Sequence, residues 1–156
     1  MFAARLAVLV CVFVSIASTG SAQVNGYLVI QGGGALTNEV KERFVALAGG
    51  PRARFVYIPT ALSDAQIGDA EKRGAAIAKG FGIAGVTVLH TRDRVRANSP
   101  GFVEPLRHAS GVLIEGGRQW RLADAYLDTA VEREIKALLA RGGVVCGGSA
   151  GATIQG

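Results

Sequence analysis

Near its end the chain reads Val144-Val145-Cys146-Gly147-Gly148-Ser149-Ala150-Gly151-Ala152, an apolar run leading into Gly-x-Ser-x-Gly and then small residues. That is the sequence form of a nucleophile elbow, a tight strand-to-helix turn that lifts one hydroxyl above the edge of a sheet. The chemistry dictates the composition. A serine so presented sits in a strained backbone conformation, and its neighbours must be small for strand and helix to approach each other. Ser149 is therefore the candidate nucleophile. The N–H of Ala150, at the start of the following helix, points where an oxyanion would form. The same spelling fits a glycine-rich βα turn with an idle serine, so the surroundings of the motif decide between the two.

A second glycine turn supplies those surroundings. Glu115-Gly116-Gly117-Arg118-Gln119-Trp120-Arg121-Leu122 follows a short apolar run at residues 112–114. Two glycines after a strand can aim a backbone N–H at a neighbouring site, and Gln119 offers both a donor and an acceptor. Taken alone, the stretch reads as a tight turn entering a helix, with Trp120 packing. A third turn, Gly32-Gly33-Gly34, invites a dinucleotide reading and fails it. The third glycine of G-x-G-x-x-G would fall on Thr37, and Pro59-Thr60-Ala61 stands where an acidic residue should end the second strand. Close packing of backbone at the sheet edge is the expected reason for these glycines. No cofactor and no metal is expected.

The elements that must position these turns alternate. Apolar, β-rich runs at 27–31, 55–58, 86–89, 112–114 and 144–146 are separated by helical patterns at 37–48, 64–79, 119–127 and 129–139. Thr37 is a candidate cap for the first helix, and Thr129-x-x-Glu132 spells a capping box for the last. Residues 90–98 read as a polar, basic connection, and Ser99-Pro100 opens a short helix. Continuously apolar strands alternating with helices predict a doubly wound, mainly parallel sheet covered on both faces. Ligands of such sheets bind beyond the carboxyl ends of the strands, where all three glycine turns fall.

Residues 1–22 stand apart. A short basic start ending at Arg5, an apolar stretch over 6–17 and Gly20-Ser21-Ala22 form a secretory signal peptide, with cleavage expected after Ala22. This predicts a secreted or periplasmic protein with no stable membrane insertion; an uncleaved anchor is the rival reading. Residues 23–156 make one domain. The 17 basic and 12 acidic residues are interspersed, without the basic runs and stacking aromatics of a nucleic-acid binder. Cys11 falls within the signal stretch, so Cys146 has no partner for an internal disulfide. The core alone must hold the domain together, and a hydrophobic fraction of 49% suffices.

Gly116-Gly117-Arg118-Gln119 some thirty residues before Gly147-Gly148-Ser149-Ala150-Gly151-Ala152 resembles the cyanophycinase-like serine peptidases. These are relatives of the α-aspartyl dipeptidases and of class I glutamine-amidotransferase-like domains. The glycine-rich end of the first strand and Ile58-Pro59-Thr60-Ala61 are also similar, so the resemblance covers residues 27–156. It implies a flavodoxin-like sheet, Ser149 as nucleophile, the N–H groups of Gly117 and Ala150 as oxyanion hole, and Gln119 in contact with a peptide substrate. It implies exopeptidase action near aspartyl residues. Arg118 stands where that family commonly has an acidic or amide residue, which makes it a candidate partner for a substrate carboxylate.

A serine hydroxyl needs a neighbouring base. The resemblance implies a histidine after the serine, oriented by an acid, whereas His90 and His108 both precede it. The expectation is therefore a domain incomplete at its carboxyl end, inactive by itself. Two other classes stay open. One is an α/β-hydrolase-type esterase, which would favour a His-Gly-Gly-Gly stretch that does not occur. The other is a non-catalytic amidotransferase-like binding domain.

Overall fold

Each apolar, β-branched run becomes a strand, and the polar-apolar alternations of helical period become the covering helices. The computed structural model describes residues 25–156. The signal-peptide reading of residues 1–22 lies outside them. The strands are β1 (Tyr27–Gln31), β2 (Phe55–Ile58), β3 (Val86–Val88), β4 (Gly111–Ile114) and β5 (Val144–Gly148). The helices are α1 (Asn38–Leu47), α2 (Asp64–Ile67), α3 (Ala70–Phe81), α4 (Arg94–Ala97), α5 (Pro100–His108), α6 (Gln119–Tyr126), α7 (Ala130–Ala140) and α8 (Ala150–Thr153). The strands form one sheet in the order β1-β5-β4-β2-β3, and every pairing is parallel.

Successive residues of a strand face opposite sides, and the two sides carry different helices. Val144 and Cys146 of β5 pack with Phe55, Phe44 and Val45 of α1, and Ala78 of α3. Val145, between them, packs on the other side with Val112, Leu106, Leu122, Val131 and Leu138. The sheet is thus doubly wound, as the alternation of elements predicts. The chain leaves β2 for β3 in one direction and β4 for β5 in the other, so the strand order reverses at the β2–β4 boundary. Crevices at such a reversal are where open α/β sheets bind ligands.

Local chemistry departs from the sequence reading in four places. The helix expected over 64–79 is two, α2 and α3, because the chain breaks at Gly68-Asp69; Gln66 turns back to accept from the Ser63 N–H at 3.1 Å. The connection at 90–98 contains α4, started by Asp93, whose carboxylate accepts from the Val95 N–H at 2.8 Å. The expected capping box of α7 does not form. Thr129 is fully buried and donates its hydroxyl to the Tyr126 carbonyl at 2.6 Å, while Glu132 accepts from the Asp128 N–H instead. Finally, β5 runs two residues past Cys146, to Gly148, because β1 lies beside it and pairs Gln31 with Gly148. Thr37 does cap α1, accepting from the Val40 N–H at 3.3 Å. No helix among the described residues is long and apolar enough to cross a membrane.

Candidate active site

Ser149 has φ 51° and ψ −116°, and with Asp128 it is one of two non-glycine residues at positive φ among those described. Such a backbone costs on the order of 1–3 kcal/mol and persists only where its surroundings over-determine it. They do. The Ser149 N–H donates to the Gln31 carbonyl at 2.9 Å, and its own carbonyl accepts from the N–H groups of Ala152 and Thr153 at 2.9 and 3.0 Å. A Cβ on Gly147 would lie 2.1 Å from the Gly151 carbonyl oxygen, and one on Gly151 would lie 2.2 Å from that of Ile114. The start of α8 is therefore wedged against the ends of β5 and β4 through bare backbone. Ser149 itself is exposed.

The neighbouring turn arrives from β4. The Glu115 N–H donates to the Ile58 carbonyl at 2.9 Å, continuing the ladder to β2. A Cβ on Gly116 would sit 3.2 Å from Ser149 Cβ and 3.8 Å from its Oγ, so the two turns are in contact. Gly117 has φ 144°, and a Cβ there would come within 2.2 Å of the Ala61 carbonyl oxygen. The next N–H, of Arg118, donates to that same oxygen at 2.9 Å. Neither the Gly117 nor the Ala150 N–H is taken by a backbone carbonyl among the described residues. Ala150 adjoins Ser149 in the chain and Gly117 follows the glycine that touches it, so both N–H groups are candidates for the donors that an oxyanion hole requires.

Arg118 is the N-cap residue of α6 and Gln119 its first helical residue; both side chains are exposed at the rim of the turn. Trp120 is 55% exposed, so it does not pack into the core as the bland reading of that turn has it; the Arg121 guanidinium lies 5.2 Å from its ring. The glycines at 32–34 correct another expectation. A Cβ on any of them would meet nothing within 4 Å, so close packing is not their reason, and only Gly34, at φ 79°, needs to be glycine.

A cleft of about 300 Å³ opens beside Ser149, lined by Gln31, Lys41, Phe81, Glu115 and Gly116 among others. Glu115 accepts the Tyr57 hydroxyl there. Tyr57 is completely buried, and burial first, then the adjacent carboxylate, raise its pKa and keep it a donor. Sequence reasoning passed over this pair. The available signal was Tyr57, the one polar-tipped residue of an otherwise apolar strand, because a buried phenol must find an acceptor.

The two histidines part company. His108 bonds Glu104 at 2.8 Å and lines a shallow cleft with Arg54 and Phe55, at the amino ends of the strands. That is the opposite end of the sheet from Ser149. His90 does reach the ligand edge, where its Nδ1 lies 2.9 Å from Thr60 Oγ1. Burial, then Arg92 and Arg96, lower its pKa, so it is held neutral. Neither imidazole hydrogen-bonds Ser149. Cys146 is buried, and burial pushes its thiol up to about 11, which leaves it inert.

A doubly wound parallel sheet that ends one strand in a strained, exposed serine beside a glycine turn defines an α/β domain with a nucleophile elbow. Residues 28–156 match the model of peptidase family S51, and the chain belongs to that family. Among curated proteins it is similar to a cyanophycinase of Geminocystis herdmanii, 32% identical over 120 residues covering 76% of this chain and 43% of that one. A Nostoc cyanophycinase is 34% identical over 121 residues, covering 76% and 39%. The chain thus spans about two-fifths of the curated relatives it matches. Among solved structures, a peptidase from an acI-B1 actinobacterium superposes with a TM-score of 0.68 at 29% identity, covering 81% of this chain and 55% of that one. A peptidase E protein from Listeria monocytogenes superposes at 0.57 and 22% identity over 82% of this chain and 59% of that one, a likeness of fold.

Proposed function

We propose that this chain carries the nucleophile half of an exported serine peptidase that acts on peptide or isopeptide bonds near aspartyl residues. The single observation that carries the reading is Ser149 at positive φ, exposed, with the Gly116-Gly117 turn against it. Ser149 Oγ attacks the substrate carbonyl. The carbonyl oxygen becomes an oxyanion facing the Gly117 and Ala150 N–H groups, the leaving amine takes a proton, and water later releases the acyl group. The Ser149 proton passes to a base that neither described histidine supplies, since His108 sits at the opposite end of the sheet and His90 is bonded to Thr60. Membership of the peptidase family and likeness to the cyanophycinases support the hydrolase class. Without that base, nucleophile and oxyanion donors alone would retain about 10³–10⁴ over the reaction in water.

Arg118 supports the aspartyl part of the proposal. Its exposed guanidinium stands at the edge of the oxyanion turn and suits a substrate carboxylate. Export rests on the pattern of residues 1–22, and a secreted form starting at Gln23 would support it.

Labelling of the full-length protein with a fluorophosphonate probe tests the nucleophile. Stoichiometric labelling that maps to Ser149 and vanishes in Ser149→Ala is expected. Labelling that survives the substitution removes the assignment.

A further inference from the structure

In the sequence the turn after β2 lacks the acidic residue of a dinucleotide site and shares Ile58-Pro59-Thr60-Ala61 with the cyanophycinase-like peptidases, with no role assigned to it. In the structure it is the support on which the oxyanion turn rests. The four carboxyl-end turns lie side by side in the order of the strands: Ser149 after β5, Gly116-Gly117 after β4, Thr60-Ala61 after β2, His90-Thr91 after β3. Thr60 and Ala61 are both completely buried. The Leu62 N–H donates to the Pro59 carbonyl at 2.9 Å and closes the turn.

Helix α6, which follows the oxyanion turn, is fastened to this pair of residues at both ends. At its start, the Arg118 N–H and Arg121 Nη1 donate to the Ala61 carbonyl oxygen at 2.9 and 3.2 Å. At its end, Tyr126 Oη lies 2.7 Å from Thr60 Oγ1. Gly117 lies so close to the Ala61 carbonyl that no side chain fits between them. Any movement of Thr60-Ala61 therefore moves the Gly117 N–H relative to Ser149.

Proton bookkeeping in the buried cluster has one complete solution. Tyr126 Oη accepts from the Thr91 N–H at 3.1 Å, so its own proton goes to Thr60 Oγ1. The Thr60 proton then goes to Nδ1 of His90, which must be unprotonated to receive it and carries its hydrogen on Nε2. Each donor has an acceptor. Reversing any one bond leaves a buried hydroxyl proton with nowhere to go, which is the costly outcome.

We propose that Thr60, locked by Tyr126 and His90, is a positioning residue for the oxyanion turn: it fixes the Ala61 carbonyl against which Gly117 packs and so aims the Gly117 N–H at the Ser149 site. The inference rests on the hydrolase reading above. Misaiming one oxyanion donor affects the transition state and leaves ground-state binding nearly untouched.

Steady-state hydrolysis and fluorophosphonate labelling of the full-length protein test it with Thr60→Val, Thr60→Ser and Tyr126→Phe. Thr60→Val and Tyr126→Phe should lower kcat about 10- to 100-fold with KM within about twofold, and slow labelling in parallel. Thr60→Ser, which keeps the hydroxyl, should return kcat to within about threefold of wild type. Leu138→Val, a core change away from the site, controls for lost stability and should keep wild-type kcat. Wild-type kcat in both Thr60→Val and Tyr126→Phe overturns the proposal, as does a Thr60→Ser variant as impaired as Thr60→Val. Wild-type protein without Ser149-dependent labelling overturns the parent reading and this one together, so the two failures are told apart.

Discussion

The glycines of Ser149's own turn and of the turn after β4 do one job, and those of the turn after β1 do the opposite. After β5 and β4, the glycines are contacts: Cβ atoms on Gly147, Gly151 and Gly117 would each fall within 2.2 Å of a carbonyl oxygen. After β1, Gly32, Gly33 and Gly34 face open space, and their carbonyls are merely gathered in by Gln31, whose Nε2 donates to Gly33 and Gly34 at 3.0 and 3.2 Å. A run of glycine letters therefore has two physical meanings. One is backbone touching backbone to build a strained, rigid feature; the other is a permissive rim over a cleft.

That contrast is open to test, from the largest effect down. Gly151→Ala and Gly147→Ala should destabilise the domain by more than about 3 kcal/mol, because the nearest clashing atom in each case is a backbone carbonyl oxygen that cannot swing away. Thermal or urea unfolding checks this. A loss below about 1 kcal/mol would mean that the elbow is not wedged as described.

Acid should act on the packed side first. His90 has a lowered pKa in the folded protein, through burial and the charges of Arg92 and Arg96, opposed by Asp64; Tyr126 shares its hydrogen-bonded cluster. Its neutral form is the one that folding favours. The stability it contributes is whole above the unfolded value of about 6.5 and is lost as pH falls through the lower folded value. The protection of the Arg118 and Thr91 amides against hydrogen exchange, taken relative to intrinsic exchange at each pH, should therefore fall below about pH 6.5 more than that of the Gly34 amide. An equal fall, or no change in this contrast when His90→Gln is made, would contradict the cluster's role.

The smallest effects belong to the open turn. Gly34→Ala should cost about 1 kcal/mol for its positive φ, and Gly32→Ala and Gly33→Ala should stay within about 0.5 kcal/mol. Losses there as large as those at Gly151 would erase the distinction.

The sequence spelled out what depends on local order. Apolar runs and their spacing gave the strands, the parallel sheet and the elbow, since each is written in neighbouring residues. It misled where two local partners compete. Thr129 is spelled as a cap, but its hydroxyl goes to the Tyr126 carbonyl three residues back, and one helical pattern breaks into two helices at Gly68-Asp69. The Tyr57–Glu115 pair and the Thr60–His90–Tyr126 cluster were illegible for a different reason: their members are 30 to 66 residues apart and meet only because β2 lies between β3 and β4.

One measurement bears most directly on the claim that Ser149 works between two waiting amide hydrogens. A crystal structure of the phosphonylated full-length protein should place the phosphoryl oxygen about 2.7–3.1 Å from both the Gly117 and the Ala150 nitrogen. An adduct on Ser149 whose oxygen points away from either nitrogen, or an adduct on another residue, would contradict the account.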